Sequence, residues 1–277
     1  MHLCVVVSSI GKTERLVNLL DSLLYQTDRD FTVGICDQSN NASVRVLAKE
    51  YQQRLKIFTT TSARGLSAGR NSVIRAAPSE ASHFIFPNDT SAFPTTLIAG
   101  LRRKHFDADV VVLSYLDNDA PRYRFNDGIY NLDVKNVWRV IEPAMVLSRN
   151  AVEVAGGFDE LLGTGCPSPW QSGEGTDLLL KLVDKELSVH WDNELKVVGV
   201  SESYGLDRKK YLVKLRGYGR GYGRIHSKWS YSLLRRVRIC VAPWIRCLMR
   251  NSSIGVAEAA AVSLGRFEGL IGRTVGR

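Results

Sequence analysis

The sequence lacks the cysteine pattern of a disulfide framework or a zinc site. Its 277 residues include five cysteines, and none of them forms a C-x-x-C pair or lies near a histidine cluster. Disulfide-rich secreted domains and zinc modules both need paired or closely spaced cysteines. We therefore expect reduced thiols and a cytosolic protein.

Long apolar runs are also missing. No stretch of the sequence reaches about 18 uncharged apolar residues, the length that a membrane-spanning helix requires. The opening segment MHLCVVVSSIGKTER has a short apolar run, with no basic segment before it and no small-residue cleavage site after it. This pattern favours a first core strand over a signal peptide. The expected location is the cytoplasm.

Acidic residues are absent from the segment 208–250, which holds 13 Lys and Arg. Over residues 201–277, 16 basic residues stand against 4 acidic ones, whereas residues 1–200 carry 21 basic and 24 acidic residues. The net charge of +9 therefore comes from the C-terminal part. This asymmetry predicts that the two parts contact different partners.

Residues 1–200 alternate between strand and helix patterns. Strand-like segments LCVVVSS, FTVGIC, LKIFTT and HFIFP are separated by the helix-like segments TERLVNLLDSLLYQ, SVRVLAKEYQQ and LSAGRNSVIRAA. Such repeats predict an α/β fold, with a mostly parallel, Rossmann-like sheet and helices on both faces. Between residues 105 and 147 the β segments become shorter, which predicts a small second sheet beside the first.

Polar residues follow several of these strands. Ser8 and Ser9 end the first strand, Asp37 ends the second, and Asn88 and Asp89 follow the fourth. Ligands of parallel sheets bind outside the carboxyl ends of the strands, so we expect Asp37 and Asp89 at one binding edge. A carboxylate at such a position is also a common turn former or helix cap.

The order of these segments resembles the family-2 glycosyltransferases of GT-A fold. The resemblance covers roughly residues 3–200 and rests on ICDQSNN, RGLSAGRN, FPNDTSAFP, GGFDELLG and GEGTDLLLKL occurring in that order. It implies a GT-A catalytic domain over residues 1–204, followed by a basic, helical extension over residues 205–277.

The resemblance implies a nucleoside-diphosphate sugar as donor, with Asp37 near the base. The other implied contacts to the nucleotide sugar are Ser8, Ser9, Arg64, Gly65, Arg70, Asn71, Asn88 and Asp89. Arg70 and Asn71 could equally tie their helix to the sheet.

The same resemblance places a divalent cation, Mn²⁺ or Mg²⁺, at Asp89. Such an ion stabilises the leaving diphosphate. The family usually has two or three acids at this motif, whereas this chain has Asn88, Asp89 and Thr90. With one carboxylate, either the affinity for the metal is low or the ion is held mainly by the diphosphate.

Inverting transfer needs a base for the acceptor hydroxyl. The family's acidic motif reads Glu-Asp, but here Glu174 is followed by Gly175. The candidates are therefore Glu174, which matches the first acid, and Asp177. Asp177 could instead cap the N-terminus of a helix and stabilise it by its charge. Trp170, in the preceding loop, could stack on an acceptor sugar or simply pack.

The segment 233–248 predicts a basic amphipathic helix, kinked at Pro243. Its arginines lie largely away from one apolar stripe made of Leu233, Leu234, Val237, Cys240, Val241, Trp244, Ile245 and Leu248. A helix of this kind suits an anionic membrane surface. With the family resemblance, it implies a peripheral enzyme at the inner face of the cell membrane, acting on a lipid-linked glycan of a bacterial surface polysaccharide.

Three alternatives stay open. The tail could pack onto the catalytic domain, or RGYGRGYGR and the nearby aromatic residues could bind single-stranded nucleic acid through phosphate charge and stacking. Nucleic acid is the less expected partner, because no RNA-binding signature accompanies this segment. The chain could also be a nucleotide-sugar-binding protein without activity, since Asn88, Thr90 and Gly175 replace acids of the family.

Overall fold

The computed structural model describes residues 1–105, 107–199, 206–249 and 254–276. The predicted domain boundary between residues 204 and 205 and the last residue of the basic segment, Arg250, lie outside the described residues.

One mixed sheet of ten strands forms the centre of the described structure. Its strands are β1 (Leu3–Ser9), β2 (Phe31–Asp37), β3 (Ile57–Thr61), β4 (His83–Ile85), β5 (Ser91–Ala92), β6 (Val110–Asp117), β7 (Ala120–Pro121), β8 (Gly128–Ile129), β9 (Met145–Ser148) and β10 (Val189–Gly199). The main order is β3-β2-β1-β4-β9-β6-β10-β5, with β7 beside β6 and β8 beside β10. The predicted α/β fold with a mostly parallel first sheet is confirmed.

The strands after residue 105 do not form a separate second sheet. β9 pairs antiparallel with both β4 and β6, and it therefore joins β6 to the parallel strands β1–β4. The register aligns Phe84 with Leu147 and Leu147 with Val110, all of which are fully buried. The expectation of a second sheet was wrong because these apolar strands extend the first sheet and share its core.

Helices cover both faces of the sheet. They are α1 (Thr13–Leu24), α2 (Ser43–Tyr51), α3 (Leu66–Ala76), α4 (Leu97–His105), α5 (Arg149–Ala155), α6 (Glu174–Leu180), α7 (Arg208–Lys228), α8 (Leu233–Leu248) and α9 (Val256–Ile271). The five leucines that gave α1 its helical spacing are all buried. β1 and β2 are buried on both faces, as the continuous apolar pattern of parallel strands requires.

The helices α7 and α9 are in backbone contact through glycines. A Cβ added to Gly223 would lie 2.1 Å from the carbonyl oxygen of Arg266, and one added to Gly265 would lie 2.2 Å from that of Arg216. Any larger residue at these positions would force the two helices apart. Glycine therefore allows the close approach that packs the last helix onto α7.

The opposite side of α7 packs against the loop before α6. A Cβ on Gly221 would lie 2.2 Å from the carbonyl oxygen of Ser172, and the Ser172 hydroxyl donates to the carbonyl of Tyr218 at 2.8 Å. The glycines of RGYGRGYGR are therefore buried packing positions on two faces of a helix. This finding accounts for the motif without nucleic acid, and it supports the alternative that this part of the tail packs onto the catalytic part.

The apolar stripe of α8 faces outward. Leu234, Ile245 and Leu248 are exposed by 79%, 57% and 87%, whereas Ile239 and Pro243 are the buried residues of this helix. The helix continues through Pro243 as far as Leu248. No helix in the described ranges is both long enough and apolar enough to cross a membrane.

Candidate functional site

A cleft of about 830 Å³ opens at the carboxyl ends of the central strands. Ser8 of β1 and Asn88 and Asp89, which follow β4, line it, and Glu174 enters from the first turn of α6. Arg64 and Gly65, just before α3, line it as well. The expected binding edge is therefore where these six candidate residues meet.

Asp89 is placed at the cleft next to the first strand. The hydroxyl of Ser9 donates to its Oδ2 at 3.5 Å. Among the described residues, no group of three or more His, Cys, Asp or Glu is arranged to hold a metal ion. The donor set at Asp89 therefore fits a divalent cation only if other ligands, such as diphosphate oxygens, complete the coordination.

Gln38 is a cleft residue that the sequence did not indicate. Its amide nitrogen donates to the carbonyl oxygens of Ala63 and Gly65 at 2.6 and 2.9 Å, and its Oε1 accepts from the hydroxyl of Ser8 at 3.2 Å. The side chain therefore fixes the loop that carries Arg64 to the end of β1. Gly65 has a φ of +132°, a conformation that favours glycine.

Asp37 lies beside the cleft instead of lining it. Its Oδ1 accepts from the backbone N–H and the hydroxyl of Ser39, and its Oδ2 lies 3.2 Å from Nε of Arg45. The residue is only 4% exposed. Asp37 thus shapes the turn after β2, the local role that the sequence had left open.

Arg70 is fully buried beneath the cleft. Its Nη2 donates to the carbonyl oxygen of Phe86 at 2.9 Å and reaches Oδ1 of Asn88 at 3.4 Å, and its Nη1 forms an ion pair with Glu142. Burial lowers the pKa of the guanidinium to about 10, partly opposed by the charge of Glu174. Arg70 therefore stays charged at neutral pH and links Asn88 to Glu142, both of which line the cleft.

Asn71 holds α3 to the loop that follows α5. Its amide nitrogen donates to the carbonyl oxygen of Phe158 at 2.9 Å, and its Oδ1 accepts from the N–H of the same residue at 3.0 Å. Neither Arg70 nor Asn71 lines the cleft. In this structure both residues attach α3 to neighbouring parts of the fold, which was one of the two expected roles.

The two acidic candidates of α6 are in different surroundings. Glu174 lines the cleft, whereas Asp177 is fully buried and does not line it. Asp177 accepts hydrogen bonds from Nζ of Lys228 at 2.9 Å and from the indole N–H of Trp229 at 2.8 Å. Of the pair, only Glu174 is positioned to meet an acceptor.

Trp170 packs within the core and is not a cleft residue. It contacts the hydrophobic cluster that includes Leu178 and Ile225, and the guanidinium of Arg224 lies 5.7 Å from its ring centroid. The packing role that the sequence left open is the one observed.

Other cleft residues come from parts of the chain outside the glycosyltransferase motifs. The end of β6 contributes Tyr115 and Asp117, the segment between β6 and β9 contributes Arg122, Tyr123, Trp138 and Glu142, and α7 contributes Lys214, Tyr218 and Tyr222. Their sequence surroundings gave no signal, because only the folded chain brings residues 115–142 and α7 together. Helix α7 thus forms part of the wall of the cleft.

The comparison with protein families decides the class of this protein. The family model described as Glycosyl transferase family 2 matches residues 4–138. The protein is a glycosyltransferase whose family-2 match covers residues 4–138. The matched region contains the strands that carry Ser8, Asn88 and Asp89, so the resemblance found in the sequence is confirmed for this part of the glycosyltransferase.

Solved structures support the same fold over the full chain. The structure of S. aureus TarS residues 1–349 in complex with UDP-GlcNAc is 12% identical, with a TM-score of 0.61, covering 99% of this chain and 93% of that one. The corresponding complex with UDP has a TM-score of 0.57 and 12% identity, with coverages of 99% and 92%. No curated protein matches the sequence. The GT-A fold of the glycosyltransferase is therefore confirmed.

Proposed function

We propose that this glycosyltransferase transfers a sugar from a nucleoside-diphosphate sugar to a hydroxyl group of a glycan acceptor. The observation that carries this proposal is the cleft, where Asp89 and Glu174 both line a cavity at the carboxyl ends of the strands. Similarity to TarS structures that hold UDP-GlcNAc or UDP favours a uridine-diphosphate sugar as the first donor to test.

The proposed reaction is a single displacement with inversion. The acceptor oxygen forms a bond to the anomeric carbon while the bond from that carbon to the diphosphate breaks, and the diphosphate leaves with the electron pair. The proton of the acceptor hydroxyl passes to a carboxylate at the cleft. Glu174 is the carboxylate that the acidic motif supplies.

Asp89 is the residue that would hold Mn²⁺ or Mg²⁺, together with oxygens of the donor diphosphate. When bound, such an ion supplies positive charge to the leaving diphosphate. Arg64 lines the same cleft and adds a fixed cation. A site with few acidic ligands can in this way neutralise the diphosphate with both a metal ion and an arginine.

Thermal stability with nucleotides tests the donor class. We expect UDP and UDP-sugars to raise Tm by a few degrees more than GDP or ADP, because a ligand that binds only the folded state stabilises it. The Mn²⁺-dependent part of the shift should disappear in Asp89→Asn, while Asp184→Asn, at a position outside the cleft, serves as control. Equal shifts with every nucleotide, or none, would refute the donor assignment.

We also propose the division into a catalytic domain over residues 1–204 and a C-terminal extension over residues 205–277. Support comes from the change of architecture, since α7, α8 and α9 follow the last strand. The extension also reaches the catalytic site, because Lys214 and Tyr218 of α7 line the cleft. In the full chain, the variant Lys214→Ala/Tyr218→Ala should therefore be less active than the wild type.

The proposed location is the inner face of the cell membrane, reached through α8. The exposed side of this helix combines the apolar residues of the stripe with the exposed cations Arg238 and Arg246. In contrast, Arg216 and Arg220 are engaged internally with the buried carboxylate of Glu268. An apolar, cationic surface binds anionic lipids, which would bring the enzyme to a lipid-linked glycan acceptor.

Vesicle binding tests this location. Point variants are used, because a deletion of the tail would also remove Trp229 and Tyr231, whose hydrogen bonds stabilise the fold. The variant Leu234→Ser/Ile245→Ser/Leu248→Ser should lose most of its binding to phosphatidylglycerol vesicles.

A matched control changes three exposed apolar residues elsewhere, Val46→Ser/Ile129→Ser/Val154→Ser. The control should bind like the wild type, and phosphatidylcholine vesicles should bind neither protein well. Equal binding of anionic vesicles by the α8 variant would remove the membrane proposal.

A further inference from the structure

Position 175 has a glycine for a packing reason. A Cβ added to Gly175 would lie 2.5 Å from Oε2 of Glu142 and 2.9 Å from its Cγ. The backbone does not require glycine here, since Gly175 is a helical residue and its φ is not positive. The carboxylate of Glu142 therefore occupies the space that a side chain at position 175 would need.

Glu142 reaches this space from a different part of the chain. It begins the short 3-10 turn Glu142–Ala144 that precedes β9, and it lines the cleft. Its side chain is 13% exposed, so that it is largely shielded from solvent but open to the cavity.

Arg70 holds Glu142 in this position. The guanidinium is fully buried and forms an ion pair with Oε1 of Glu142, which leaves Oε2 directed at Gly175. The charge of Glu174 also acts on Arg70. One buried cation thus fixes the orientation of Glu142 through an ion pair, and it acts on Glu174 through its charge alone.

We propose that Glu142 is a second catalytic carboxylate, and that it stands in for the acid that the motif lacks at position 175. The proposal rests on the proposed sugar transfer. In that reaction the acceptor hydroxyl proton passes to a carboxylate oxygen of the pair Glu142 and Glu174 as the acceptor oxygen bonds to the anomeric carbon. Arg70 is the positioning residue of Glu142.

A neutral replacement at position 142 provides the first test. Glu142→Gln keeps an oxygen for Arg70 and should lower kcat on the order of 100-fold, with the donor KM changed less than threefold. Glu153→Gln, on the exposed surface of α5, is the matched control and should retain wild-type kcat. A Glu142→Gln variant that keeps more than a third of wild-type kcat would overturn the proposal.

Moving the carboxylate provides the second test. Gly175→Asp alone should be impaired, because the new side chain collides with Glu142. The variant Glu142→Ala/Gly175→Asp removes the collision and restores an acid in nearly the same space, so its kcat should exceed that of Glu142→Ala at least tenfold. No recovery in a folded double variant would contradict the proposed replacement.

A stability measurement separates the geometry from the activity. Gly175→Asp should lower Tm more in the wild-type background than in the Glu142→Ala background, and equal losses would refute the shared space of the two side chains. Nucleotide binding to the wild type and to Glu142→Gln is measured in a separate experiment.

If Glu142→Gln binds UDP as the wild type does and turns over normally, the catalytic role fails while the donor proposal stands. If the wild type binds no nucleotide, the donor proposal fails, and the two Tm losses still decide whether the two side chains share this space.

Discussion

The indole nitrogen of Trp229 donates a hydrogen bond of 2.8 Å to Oδ1 of Asp177. This contact joins the chain that follows α7 to the first turn of α6, the same turn that carries Glu174 into the cleft. Lys228 adds an ion pair to the same carboxylate and a second one to Asp159 at 2.8 Å. The end of α7 and the residue after it therefore support the helix from which an acidic cleft residue projects.

Asp177 should matter for stability more than for chemistry. Asp177→Ala removes the partner of Lys228 and Trp229 at a fully buried position. We expect the free energy of unfolding to fall by about 2 kcal/mol, since buried polar groups lose their partner. Urea unfolding gives this value, and kcat of the folded fraction should stay within tenfold of wild type. A normal stability combined with a 100-fold lower kcat would instead make Asp177 catalytic.

Glu174 should show the opposite behaviour. Its side chain lines the cleft, so Glu174→Gln removes a charge from the reacting centre while keeping the shape. We expect kcat to fall on the order of 100-fold with a Tm close to that of wild type. Steady-state kinetics with saturating donor measure this effect, and Glu153→Gln again serves as control. Near-normal turnover would exclude Glu174 from the chemistry.

The glycine contacts between α7 and α9 predict a strong dependence on position within one helix. Gly223→Ala places a methyl group 2.1 Å from the carbonyl oxygen of Arg266, and overpacking of this kind costs about 1–3 kcal/mol. Gly217→Ala is the matched control, because its Cβ would meet Gln171 at an ordinary 3.4 Å. In thermal unfolding we expect a lower Tm for the first variant and an equal or higher Tm for the second. Equal effects would contradict the close packing of the two helices.

His226 predicts a pH dependence of stability. The residue is fully buried, and burial, together with nearby arginines, lowers the pKa of its imidazole to about 4, against a smaller opposing effect of the Tyr222 carbonyl. The unfolded chain takes up a proton near pH 6.5, whereas the folded protein does not. Stability is therefore complete above about pH 6.5 and falls as the pH drops from there towards 4.

Between pH 6.5 and 4.5, the unfolding free energy of the variant His226→Gln should decrease less steeply than that of the wild type. The two slopes should differ by up to about 1.4 kcal/mol per pH unit. Urea titrations at several pH values measure the slope. Between pH 7.5 and 8.5 the two proteins should have the same slope, because the imidazole is neutral in both states there. Parallel curves over the whole range would show that His226 does not contribute.

The sequence by itself determined the βα repeats and the position of the binding edge. Apolar runs such as LCVVVSS can be buried on both faces only in a covered, parallel sheet, and the leucines of α1 have a spacing that leaves one face for burial. Ser8 lies at the end of one strand of that sheet, and Asp89 follows another. Local pattern and strand polarity were therefore enough to place them at the cleft.

Tertiary structure alone decided which polar residues meet the cavity and which ones support it. Asp37, Arg70 and Asp177 belong to recognisable segments, but their partners Arg45, Glu142 and Trp229 come from other elements. A sequence motif fixes neither the direction of a side chain nor the residue that will neutralise its charge, because both depend on contacts between segments far apart in the chain. The same reason explains why the glycines of RGYGRGYGR were open to a nucleic-acid interpretation until α9 and the Ser172 loop were seen packed against them.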